Sequence, residues 1–166
     1  MKKTLIISTG GTFNKYYHPT QGHLLIDENA SAIKEIAKKS LCNFNFVTII
    51  GKDSLDMDNS DRIVLLEAIK NSDIDDIIVI HGTDTMDKSA EFIAKYNLKK
   101  RVVFTGAMVP YSIEPVEATA NLMLAYGYLQ AEDKIGVYIA MNGLVGLYMS
   151  IQKDRTLGKF MEKETL

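Results

Sequence analysis

The sequence predicts a single-domain, three-layer α/β fold with a doubly wound, mostly parallel sheet of the flavodoxin or Rossmann-like kind. Two observations predict it. Short apolar runs rich in β-branched residues alternate along the chain with segments of helical periodicity, an order that builds parallel sheets with right-handed crossovers. Those runs are continuous rather than alternating, as in strands covered on both faces. Strands are expected at Thr4–Thr9, Phe44–Ile50, Asp76–His81, Arg101–Thr105 and Lys134–Met141. Between them, Ile33, Ile36, Ala37 and Leu41 form one helical stripe. Val64, Leu65, Ala68 and Ile69 form a second, with Ser60 as its expected N-cap. Met86, Ala90, Ile93 and Ala94 form a third. The segment Val116–Leu129 is apolar nearly all round, which predicts a heavily buried helix or an oligomer contact. Leu144–Ile151 is expected to add an edge hairpin before a charged tail.

Composition bounds the function. At 166 residues, 46% hydrophobic and 24% charged, the chain suits one soluble domain, 1–166, with no C-terminal domain expected. A net charge of -2 provides no electrostatic footprint for nucleic acid or an anionic membrane. The lone Cys42 excludes an internal disulfide, and it is expected to be a small buried hydrophobe. One cysteine and three scattered histidines offer no metal-ligand spacing, so no metal or cofactor is expected. The apolar run after Met1-Lys2-Lys3 reaches only Ile7, too short for a secretion signal, and no segment approaches a membrane span. The expected location is cytoplasmic.

The candidate chemistry sits where strands end. The first strand runs into Thr9-Gly10-Gly11-Thr12, and the third into His81-Gly82-Thr83-Asp84-Thr85. Ligands of open α/β sheets bind outside the carboxyl ends of the strands, so two hydroxyl-bearing ends predict one site with two reactive threonines. The first loop lacks the third glycine and the later acidic residue of a dinucleotide fingerprint, and no phosphate loop is present. Its glycines do allow close backbone approach and exposed N–H groups suited to an oxyanion hole. The plain alternatives are a tight turn at Thr12 and simple helix capping by Asp84 or Thr85. His81, at a buried strand end, is expected to be a satisfied core residue rather than a base. A hydroxyl nucleophile needs a base, and lysine can serve where burial and neighbouring charge lower its pKa from about 10.4 towards about 7–8. Lys153, after the last strand, is the candidate that could return to the crevice.

Together these motifs resemble the N-terminal domain of the bacterial L-asparaginase family, the threonine amidohydrolases of types I and II. The resemblance rests on Ser8-Thr9-Gly10-Gly11-Thr12, His81-Gly82-Thr83-Asp84-Thr85-Met86 and Thr105-Gly106-Ala107-Met108 followed by Pro110, and more weakly on Met141-Asn142 and Lys153. It implies a first catalytic threonine at Thr12 and a tyrosine at Tyr17, on a mobile loop over the site, with Tyr16 as its competitor. It also implies a substrate-holding serine at Ser54 and a second triad of Thr83, Asp84 and Lys153. Gly11, Gly82 and Ala107 are the remaining substrate-binding candidates, with Asp84 holding Lys153 or taking the substrate amine. The implied reaction has Thr12 attack a side-chain amide of asparagine or another small amide, ammonia leave, and water hydrolyse the acyl-enzyme.

The sequence also departs from the family. Family enzymes are about twice as long, and their second domain, from a neighbouring subunit, supplies an acidic contact to the substrate amine. Leu55 stands where glutamine is frequent, Glu117-Ala118 where Asp-Gly is common, and Val109 where an arginine sometimes follows Ala-Met. Two other readings therefore stand beside the amidohydrolase. One is a non-catalytic module that binds a small amino acid. The other is one subunit of a hetero-oligomeric amidotransferase or amidase with a complementing partner. A homo-oligomer, dimer or tetramer, is expected to cover the apolar surface of helix 116–130 or of the Leu144–Ile151 strand.

Overall fold

The computed structural model describes residues 2–163; Met1 and residues 164–166, the two ends of the expected domain, lie outside the described residues. A six-stranded sheet forms the middle layer. Its strands are β1 (Thr4–Gly10), β4 (Asn45–Lys52), β5 (Asp76–Ile80), β6 (Arg101–Thr105), β7 (Gly136–Met141) and β8 (Leu144–Leu147), in spatial order β4-β1-β5-β6-β7-β8. All neighbours are parallel except β7 and β8. That antiparallel pair turns through Asn142-Gly143, both at positive φ (52° and 83°), the Asn-Gly turn that hairpin twist favours.

Helices α1 (Ser31–Lys39) and α4 (Pro115–Ala131) cover one face, α2 (Asn59–Lys70) and α3 (Met86–Ala94) the other. Consecutive strand residues point to opposite faces. Thus Ile6, Ile78 and Ile80 join the core under α1 and α4, while Ile7, Ile77 and Val79 join the core under α2 and α3. This double coverage is why the strands read as continuous apolar runs. β4 is the exception, since it lies at the sheet edge with Phe46 and Val47 exposed.

Several local expectations are corrected. The first helix stops at Lys39, and Leu41, expected on its stripe, sits at φ 53° and is almost fully exposed. The second helix is capped by Asp58 rather than Ser60. Its carboxylate accepts the Ser60 and Asp61 amides while Asp61 returns the bond, a capping box that a serine three residues before no acidic partner cannot make. Val64 faces solvent, and Arg62, Leu65, Leu66 and Ile69 are the buried positions. The expected charged tail instead forms a hairpin of β9 (Ile151–Asp154) and β10 (Lys159–Glu162). The segment after Thr12, expected to carry Tyr17 over the site, forms a short 3-10 turn, Thr12–Asn14, and then a hairpin of β2 (Lys15–His18) and β3 (His23–Ile26). The long apolar helix buries Ala118, Leu122, Ala125 and Leu129, and leaves Val116 exposed.

Taking the parallel strands in chain order, the sheet has the 2-1-3-4-5 arrangement, whose topological switch point lies between its first and third strands. Those strands are β1 and β5. Thr12 follows one and Thr83 the other.

Candidate active site

Backbone contact fuses the two threonine motifs. β1 and β5 pair in register through Ser8 and Ile80, and Thr9 Oγ1 donates to the Ile80 carbonyl at 3.0 Å. Gly11 then packs directly on the next loop. A Cβ placed there would lie 2.5 Å from the Gly82 nitrogen and 2.6 Å from its Cα. Gly11 also sits at φ 74°, ψ -177°, a region open essentially to glycine alone. Gly82 is in turn covered by Ser54, whose Cβ and Oγ would both be 2.6 Å from an added methyl. Gly11 and Gly82 thus permit three loops to meet at van der Waals distance.

Beside this contact, Lys153 Nζ donates to Thr83 Oγ1 at 2.8 Å and to Asp84 Oδ1 at 2.9 Å. The bonded line joins the hydroxyl, amine and carboxylate of the expected second triad. Lys153 arrives there because the β9–β10 hairpin docks on the sheet. Ile151 and Phe160 bury themselves in the core under α2 and α3, and the Phe160 amide donates to Asn142 Oδ1 at 2.9 Å. Asn142 is itself fixed through its own amide, which donates to Asn121 Oδ1 on α4. The weak Met141-Asn142 motif is therefore what seats the lysine.

Thr85 occupies the N-cap position of α3 without capping it; its hydroxyl donates instead to the Ser54 carbonyl at 2.8 Å. Ser54 is thereby held under Gly82, buried, with its own Oγ lacking a hydrogen-bond partner. Ala107 is buried among the α1/α4-side residues, and its neighbour Gly106 lies against the His81 carbonyl. Thr12 is half-buried, and its hydroxyl has no hydrogen-bond partner among the described residues.

Tyr17 is more than half exposed on β2 and makes no hydrogen bond to a described residue, so the structure does not bring it to Thr12. Tyr16 lines a cavity of about 350 Å³ with Phe13, Asn14 and Tyr111. Neighbouring strand residues face opposite ways, so Tyr17 is the one turned away from that cavity. The hairpin base is tied to the site by the Lys15–Asp53 ion pair at 2.5 Å, one residue before Ser54.

Arg155 was not singled out from the sequence. It donates to Asp84 Oδ1 at 3.1 Å and to the Asp84 carbonyl at 2.9 Å, so Asp84 faces two cationic side chains. It lies in the turn just after β9, where strand alternation gives no signal for it. His81, as expected, is fully buried, and burial pushes its pKa down to about 4 despite the opposing hydrogen bond to Gly82. Among the described residues no cluster of His, Cys, Asp and Glu could hold a metal ion, and no helix is long and apolar enough to cross a membrane.

Fold and site together define a doubly wound α/β protein with paired threonines at its switch point, one of them tied to a lysine–aspartate pair. Comparison with known proteins places that class. Residues 3–159 match the model of the N-terminal asparaginase domain, and the chain belongs to the asparaginase family. A probable periplasmic L-asparaginase of Haemophilus influenzae is 32% identical over 155 residues, which cover 84% of this chain and 43% of the relative. A probable cytoplasmic L-asparaginase from Campylobacter jejuni superposes with a TM-score of 0.80 at 26% identity, covering 98% of this chain and 52% of that one. The thermostable L-asparaginase from Thermococcus kodakarensis shares the fold, with a TM-score of 0.84 at 24% identity over 96% of this chain and 51% of its own. The chain spans about half the length of the relatives it matches.

Proposed function

We propose that this chain carries the amidohydrolase chemistry of an asparaginase, hydrolysing the side-chain amide of L-asparagine or a related small amide. The observation that carries the reading is the contact of Lys153 Nζ with both Thr83 Oγ1 and Asp84 Oδ1, across the switch point from Thr12. Thr12 Oγ attacks the amide carbon, ammonia departs, and water hydrolyses the resulting ester. The free Thr12 hydroxyl suits the nucleophile, and Thr83 with Lys153 handles protons, the kind of task worth about 10²–10⁴ in rate. Asp84 holds Lys153 in place. Tyr17, carried on the β2–β3 hairpin, acts only if that hairpin folds over the crevice. Among the described residues the Thr12 and Thr83 N–H groups have no acceptor, which fits oxyanion donors.

The proposal includes a cytoplasmic setting, as for the probable cytoplasmic L-asparaginase from Campylobacter jejuni that the fold resembles. It also includes self-association, supported by the edge strand β8 with its exposed Leu147 and the neighbouring exposed Met149. Light scattering that gives a strict monomer at micromolar concentration would remove that part.

The test is ammonia release from a panel of small amides, together with mass spectrometry after an electrophilic amide analogue. Turnover and an adduct on Thr12, both lost in Thr12→Ala, are the expected results. Equal inactivity of both proteins on every amide, with no adduct, sinks the reading. Tight binding of asparagine or aspartate without turnover would instead make the chain a binding module.

A further inference from the structure

A buried polar chain lies behind the Gly82–Thr83 peptide. Arg62 of α2 is buried, and its Nε–H donates to Ser89 Oγ of α3 at 3.1 Å. Ser89 Oγ lies 2.8 Å from His81 Nε2, and His81 Nδ1 lies 2.8 Å from the Gly82 carbonyl oxygen. A carbonyl oxygen only accepts, so Nδ1 carries the ring proton. A guanidinium only donates, so Ser89 accepts from Arg62 and gives its own proton to the bare Nε2. One arrangement of protons satisfies every member, running Arg62 to Ser89 to His81 to Gly82. Ser89 and His81 are both wholly buried, so no water competes for these bonds.

The consequence falls on the peptide that ends the chain. A trans peptide is planar, so holding the Gly82 carbonyl towards His81 turns the Thr83 N–H the opposite way. Ser54 closes the remaining side of Gly82, 2.6 Å from where a Cβ would stand. The plane has little freedom left. We propose that Arg62, Ser89 and His81 are positioning residues that fix the Gly82–Thr83 peptide plane and thereby aim the Thr83 N–H at the oxyanion formed in the crevice. This rests on the amidohydrolase reading, and it assigns a task to side chains that touch neither substrate nor reacting atoms.

The experiment compares wild type with Ser89→Ala, Ser89→Thr and Arg62→Met. An oxyanion donor acts on the transition state, so Ser89→Ala should lower kcat by about tenfold or more with KM nearly unchanged. Ser89→Thr, which keeps the hydroxyl, should recover most of the loss. Imidazole ¹⁵N spectra should show His81 as the Nδ1–H tautomer in wild type and as a mixture in Ser89→Ala. The proposal is overturned if the tautomer changes while kcat holds, if Ser89→Thr loses as much as Ser89→Ala, or if wild type carries the proton on Nε2. Should wild type release no ammonia from any amide, the amidohydrolase reading fails separately. The clamp is then judged on the ¹³C shift of the Gly82 carbonyl, which moves upfield in Ser89→Ala or Arg62→Met, as loss of a hydrogen bond to a carbonyl oxygen requires, if the chain holds that peptide. An unchanged shift overturns it.

Discussion

Replacing Gly11 by alanine tests whether the two threonine motifs are held together by backbone contact. Two costs add. At φ 74° and ψ -177° a side chain enters a conformation essentially reserved for glycine, at about 1–3 kcal/mol. The new Cβ would also stand 2.5 Å from the Gly82 nitrogen and 2.6 Å from its Cα, roughly 1 Å inside normal carbon contact distance. Both obstacles are backbone and cannot rotate away, so overpacking adds about 1–3 kcal/mol. The expected loss is about 2–6 kcal/mol, a large share of the roughly 5–15 kcal/mol that holds a domain folded. Gly158→Ala is the reference: φ is 62° there, but nothing lies within 4 Å of the added methyl, so it bears only the left-handed cost of about 1–2 kcal/mol. Urea unfolding followed by far-UV circular dichroism measures both. If Gly11→Ala costs no more than Gly158→Ala within about 0.5 kcal/mol, the close approach of the two loops is refuted.

Three other outcomes are expected. Gly127, exposed within α4 and with open space around it, should stabilise the fold by about 0.5–1 kcal/mol when changed to alanine, seen as a melting rise of about 1–4 °C. His81 is held near 4 while its unfolded value is about 6.5, so the unfolded state binds the extra proton between those values. Stability is therefore full above about pH 6.5 and should fall by about 2 kcal/mol by about pH 5. An NMR titration placing His81 near 6.5, with a flat urea midpoint over that range, would contradict this. Finally, Lys153→Met should lower kcat by about 100-fold or more. Arg155→Ala should change it by no more than about fivefold, because Arg155 is exposed and such pairs contribute at most about 1 kcal/mol. Equal effects of the two on ammonia release would mean that Asp84 depends on Arg155 rather than on Lys153.

The fold and the threonine pair were legible because both are written locally. Ile6-Ile7 and Ile77–Ile80 read as strands buried on both faces, and the Gly-Gly-Thr and Gly-Thr-Asp segments directly mark their ends. Errors gathered where solvent-exposed chain takes its form from neighbours. Leu41 fits a helical stripe, yet α1 ends before it, and Ser60 resembles a cap although Asp58 is the residue with an acidic partner at the third helical position. The hairpins β2–β3 and β9–β10 lack strong apolar alternation, so their pairing was not visible.

By itself, the sequence determined the layer order, the buried strands and the residue types that end them, since period and turn chemistry act over a few neighbours. Which side chains meet was decided only in three dimensions. Lys153 reaches Thr83 across 70 positions because Phe160 and Asn142 dock its hairpin on the sheet. Arg62, Ser89 and His81 join because α2, α3 and β5 converge on one face. Such contacts depend on packing between distant segments, where a bond forms only after burial has removed the water that would compete for it.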